Sequence, residues 1–129
     1  MTGAEIAQWV VRVVLALVFV GMGVNHFRPG PARTMARIIP PSMRWEGILS
    51  PIRLVRFTGV CEIAGGIGIL LPATRTAAAI GLVAFLIAVW PANAYAAAHP
   101  EWFGRVSIPF WPRYAGQLAV ILLVVLAAV

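Results

Sequence analysis

Residues Phe57–Leu71 read FTGVCEIAGGIGILL, an apolar run with a single formal charge, Glu62, at its sixth position. Such a run is too apolar for a surface in contact with water, and it reads as part of a membrane crossing. A carboxylate at that depth is costly unless it is protonated, paired or wetted. Glu62 is therefore the first candidate for a functional residue, and the rest of the chain is read around it.

The composition agrees. The 129 residues are 61% hydrophobic and 11% charged, with a mean hydropathy of +0.92. A soluble domain of this size could not hide so much apolar surface, so one polytopic membrane domain is expected. The net charge is +6, all ten basic residues are arginine, and lysine and aspartate are absent. These arginines flank apolar segments, where they would meet lipid headgroups, so nucleic acid is not expected as a partner. The alanine and arginine richness points to a GC-rich bacterial genome and hence to a bacterial inner membrane. Cys61 is the sole cysteine, which excludes an internal disulfide. The first residues carry Glu5, no basic stretch and an apolar segment longer than a signal peptide's, so no cleaved leader is expected.

Working outward from Glu62, four apolar segments appear: residues 6–27, 52–71, 76–98 and 112–129. Each supplies the length that spans hydrocarbon as a helix, and four segments cannot close a barrel. The expected fold is all-α, a four-transmembrane-helix bundle. The first connection is rich in proline and arginine, and its pieces Ala32–Ile39 and Met43–Leu49 read as short interfacial helices. Pro72–Arg75 reads as a tight turn, with Thr74 or Thr76 as cap of the next helix. Trp102 and Trp111 fit the aromatic belt at a membrane surface. The first and third connections hold Arg28, Arg33, Arg37, Arg44 and Arg105. The opposite side holds Arg75, with Arg12 a turn or two deeper. The arginine bias therefore places loop 28–51 in the cytoplasm and both termini outside.

Helical spacing gathers the polar residues into stripes. Arg12, Ala16, Phe19, Gly23 and His26 share one. Thr58, Glu62 and Gly65/Gly66 share another, Trp90, Asn93 and Ala97 a third, and Arg113, Gln117 and Val120 a fourth. Counted from the segment ends, Arg12 and Glu62 differ in depth by only ~4 Å, which makes them the expected ion pair. That pair serves either as a clamp on helix register or as part of a site. His26, Glu62, Asn93 and Gln117, with Asn25 nearby, are the expected lining of a cavity open towards the arginine-rich side, with Trp90 and Tyr95 as its walls. Pro91 should kink its helix and free a backbone carbonyl near residue 87. The glycines around Glu62 read as close helix packing. His26 and His99 have no acid or thiol cluster around them, so no metal site is expected.

NHF at Asn25–Phe27, TGVCEIAGGIGILLP at Thr58–Pro72, TRTAAAIGL at Thr74–Leu82 and WPANAYAA at Trp90–Ala97 resemble the DoxX-like membrane proteins. GMG at Gly21–Gly23 and Arg12 fit that resemblance. It implies a four-helix membrane bundle of about this length. Members of that family are associated with thiosulfate:quinone oxidoreductase, methylamine utilisation and redox-stress complexes. With no thiol pair, this chain is not expected to do thiol chemistry itself.

Three functional readings follow. The first is a small membrane subunit or accessory of a redox system, with a membrane or peripheral oxidoreductase as partner or a second copy of itself. Its ligand would be a quinone or another lipid-like molecule, held by polar groups in an apolar slot. The second is a small-molecule transporter of the four-helix type, which needs a free acid. The third is a non-catalytic assembly or chaperone subunit, which needs a satisfied one. Catalysis by this chain alone is not expected, because no nucleophile, metal or cofactor motif is complete.

Overall fold

The computed structural model describes residues 1–129 and is all-helical. Five α-helices follow in order: α1 (Gly3–Asn25), α2 (Pro29–Arg37), α3 (Pro51–Leu70), α4 (Arg75–Ala97) and α5 (Phe110–Ala128). Short 3₁₀ turns at Pro41–Met43, Gly47–Leu49, Pro100–Trp102 and Gly104–Val106 fill the connections.

Local chemistry sets the helix ends. Thr2 and Glu5 form a capping box: the Glu5 amide donates to Thr2 Oγ1 at 3.1 Å, and the Thr2 amide donates to Glu5 Oε2 at 2.6 Å. This starts α1 at Gly3, three residues earlier than hydropathy alone places it. Pro29 and Pro51 open α2 and α3, where a missing amide proton costs nothing. Pro72 follows the end of α3 closely. There Arg75 caps the helix, its Nε donating to the Ile69 carbonyl at 2.9 Å and its Nη2 to that of Leu70 at 3.2 Å. Thr74 occupies the N-cap position of α4, but its hydroxyl donates to the Gly68 carbonyl at 2.9 Å and leaves the first α4 amides uncapped. Residues Met43–Leu49, expected as a helix, form two 3₁₀ turns around an extended stretch. Gly47, at φ 72°, interrupts the helical path there.

The four long helices pack as a ring in which α1 meets α3 and α5, and α4 meets α3 and α5, all neighbours antiparallel. Glycines bring α1 and α3 together. A Cβ on Gly23 would stand 2.8 Å from the Gly59 carbonyl oxygen, and one on Gly59 would stand 2.9 Å from that of Gly23. One apolar cluster ties all four helices together through Leu15, Phe19, Ile69, Leu82 and Val124. A smaller one, Ala32 with Ile39 and Val55, seats α2 and its loop on α3. Arg37 at the end of α2 lies 4.5 Å from the ring centre of Trp102, which links this loop to the α4–α5 connection.

Only 19 of the 129 residues are buried, and large apolar side chains such as Leu17, Ile80 and Leu122 point outward. Water does not suit such a surface. Helices α1, α4 and α5 are each long and apolar enough to cross a membrane. By that measure three helices qualify rather than four, because α3 carries Arg53, Arg56 and Glu62 within its 20 residues. These features are those of a membrane protein.

Candidate functional site

The glycine contacts between α1 and α3 set the register that builds the site. They place Gly23 against Gly59 and Ile63, and His26 against Gly59. His26 therefore stands beside Glu62. His26 Nε2 lies 2.8 Å from Glu62 Oε2, and both residues are buried. The expected Arg12–Glu62 ion pair does not form. Gly66 packs on Ala16 and Phe19, so Arg12 stands near the far end of α3, two turns from Glu62. Arg12 Nε instead donates to the Ala127 carbonyl on α5 at 2.8 Å. Counting depth from segment ends misleads here, because α1 extends past the α3–α4 turn and glycines rather than segment ends align the helices.

The proton count at His26 follows from its other nitrogen. Nδ1 lies 2.7 Å from the Val55 carbonyl oxygen, which can only accept, so Nδ1 carries a proton and donates. Thr58 Oγ1 also donates to Val55 O at 2.8 Å, which turns a lone pair towards Nδ1 at 3.0 Å. With Nδ1 committed, Nε2 is the nitrogen left to face Glu62 Oε2. The contact is close but poorly aligned, and Oε2 is left buried without a well-directed hydrogen bond. The second oxygen, Oε1, has no hydrogen-bond partner in the protein.

Glu62 lies on a groove of about 1150 Å³ along the α3–α4 pair. Its floor is of small residues, among them Gly65, Gly68, Ala78 and Gly81, with Phe57 and Ile67 at exposed edges. Met35, Ile39 and Met43, from α2 and its loop, close over one end. His26, Thr58, Glu62 and Asn93 are its polar lining at that end, with Cys61 beside them. The groove opens sideways along the helices rather than at the arginine-rich end alone.

The other sequence candidates lie elsewhere. Gln117 donates through Nε2 to the Leu86 carbonyl at 2.8 Å, on the α4–α5 seam beside the Pro91 position. Asn25 Oδ1 accepts from Arg28 at 3.3 Å. Trp90 packs edge-on against Phe110 and Tyr114, and Tyr95 against His99 and Trp102. Asn93 borders the groove while accepting at 3.3 Å from Arg113 on α5. Sequence reasoning missed the α2-loop cover. The signal for it was the apolar spacing Met35, Ile38, Ile39 and Met43 between arginines.

No curated protein and no solved structure matches this chain. A family described as a domain of unknown function, DUF8561, matches residues 15–129, a span that takes in the groove, His26, Glu62 and all of α2 to α5, and the chain belongs to that family.

Proposed function

We propose that this protein holds a lipid-like molecule in the α3–α4 groove, as a small membrane subunit or accessory of a redox system, with a quinone as the ligand that fits best. The observation that carries the reading is Glu62, a buried carboxyl on the wall of a large apolar groove, whose Oε2 faces His26 without a well-directed hydrogen bond and whose Oε1 has no partner in the protein. Ligand sites of this kind are mostly apolar with a few converging polar groups. A quinone head takes up protons when it is reduced, and His26 and Glu62, two titratable groups in contact at the groove, are placed to pass them. The electrons would come from an oxidoreductase partner. The DoxX-like resemblance of Thr58–Pro72 and Trp90–Ala97 supports the same assignment.

In this reading α3 is the fourth crossing helix. Arg53 and Arg56 lie in its first turns, at headgroup level, and Glu62 is neutralised through His26. The arginine-rich loop 28–51 then faces the cytoplasm of a bacterial cell, with both termini outside. A cysteine at position 42, in place of Ser42 and in a Cys61→Ala background, should resist an impermeant reagent in intact spheroplasts and react once the membrane is opened. Labelling in intact spheroplasts refutes the topology.

Native mass spectrometry and solvent extraction of the purified protein test the ligand. The expected result is a retained apolar molecule, depleted by Glu62→Gln and by Gly81→Leu, whose added side chain starts in open space and fills the groove. Equal recovery from all three proteins, or no retained molecule from any, removes the reading and leaves the assembly-subunit alternative.

One observation favours a second reading. The partner of Glu62 is a titratable histidine, whereas a fixed arginine would have locked the carboxylate. A proton-linked transporter needs such a carboxyl, and substrate-driven proton flux in proteoliposomes would identify one.

A further inference from the structure

At the end of the bundle away from His26, two arginines meet over one indole. The Arg12 guanidinium carbon lies 4.9 Å from the centre of the Trp9 ring and that of Arg75 lies 5.1 Å from it. Arg12 is 6% exposed. Its Nε is used by the Ala127 carbonyl, but Nη1 and Nη2 have no acceptor in the protein. Arg75 spends Nε and Nη2 on the end of α3 and keeps Nη1 free. The ion pairs of the molecule are His26–Glu62 and His99–Glu101, so neither arginine has a carboxylate partner. Both guanidinium carbons lie about 5 Å from one ring centre and so no more than about 10 Å apart, and two cations at that range, one of them nine-tenths buried, are unfavourable without a counter-charge.

No carboxylate at this end lies within ion-pair distance of either arginine. Glu5 is held in the Thr2 capping box. Gln8 Nε2 donates to the main-chain oxygens of Leu126 and Val129, which add negative potential at the end of α5 without pairing with Arg12 or Arg75. The first α4 amides, beginning at Arg75 itself, are uncapped and add positive potential at the same end.

We propose that Arg12 and Arg75, beside Trp9, form a binding site for a phosphate-bearing anion. Three guanidinium nitrogens are free to donate, and guanidinium forks match phosphate oxygens. The α3–α4 turn lies level with this cluster, which puts it where a phospholipid headgroup or a free phosphate from solution can reach. This site is separate from the groove and does not depend on its ligand.

The test reads Trp9 fluorescence, taken as the difference between the protein and its Trp9→Phe variant. The protein in phosphatidylcholine nanodiscs is titrated with inorganic phosphate, and it is separately reconstituted in nanodiscs containing phosphatidylglycerol. A response to inorganic phosphate marks a site for the free anion. A response to phosphatidylglycerol alone marks a headgroup site. Either supports the proposal if Arg12→Gln weakens it about tenfold or more, as expected for loss of a hydrogen bond to a charged group. If Arg12→Gln does not fold, Arg75→Gln, whose side chain is only half-buried, carries the same comparison. No response to either probe, or an undiminished response in the variants, overturns the proposal and leaves the two arginines as caps of α5 and α3.

Discussion

Gly59→Val should force α1 away from α3 and abolish both the His26–Glu62 contact and the groove's polar end. A Cβ at this position meets His26 Cβ at 2.6 Å and the Gly23 carbonyl oxygen at 2.9 Å. One of these neighbours is backbone and the other is the root of a side chain, so neither can swing aside. Overpacking typically costs about 1–3 kcal/mol, and more where the backbone must move. The expected result lies at the upper end of that range, read as a fall in Tm of the purified protein, together with loss of any apolar molecule that the unmodified protein retains. Gly21→Val and Gly116→Val are the controls, because a Cβ at either meets nothing within 4 Å. They should leave Tm nearly unchanged. A Gly59→Val protein as stable as these controls would show that the close α1–α3 approach is not what builds the site.

Much of the architecture was legible in the residues. The stripe Arg12, Ala16, Phe19, Gly23 and His26 is buried at every position, because helical period alone decides which face of α1 turns inward. Proline and glycine marked the connections well, and the glycines around Glu62 read correctly as packing contacts. The partner of Glu62 was harder to read. Segment lengths give depth only if all helices start level. Here the Thr2–Glu5 capping box carries α1 beyond the α3–α4 turn, and Gly23 and Gly59 fix the offset. Arg12 is thereby moved to the end of the bundle and His26 into the place expected for it.

The remaining differences have a similar origin. Gln117 and Trp90 share faces with other polar residues, but those faces turn to the α4–α5 seam. Periodicity shows that a face is special without saying which neighbour it meets. The meeting of Arg12 and Arg75 on Trp9 joins positions far apart in the chain, and no local pattern announces it. The groove arises from small residues on two helices at once, Gly65 and Gly68 on α3 with Ala78 and Gly81 on α4, and appears only when the two are placed side by side.

The second large effect is expected at the His26–Glu62 pair itself. His26→Leu removes the one polar side chain in contact with Glu62 Oε2 and leaves the buried carboxyl against an apolar neighbour. It also vacates one of the two donors to the Val55 carbonyl, although Thr58 still serves that oxygen. Breaking a buried pair from one side costs about 3–5 kcal/mol. The lower end applies here, because a carboxyl can become neutral by taking up a proton. Glu62→Leu should be milder, since a histidine that keeps its Nδ1–H bond to Val55 can remain neutral. The double variant, His26→Leu with Glu62→Leu, should lose less stability than the sum of the two, with a coupling of about 1–3 kcal/mol. Thermal unfolding of the four proteins in one detergent measures the cycle. Additive losses would mean that the two side chains sit together without depending on each other. Ligand retention in the same four proteins separates fold from function. A double variant that regains stability but holds no apolar molecule would show that the pair is kept for the groove's occupant, whereas one that regains both would make it a structural clamp between α1 and α3.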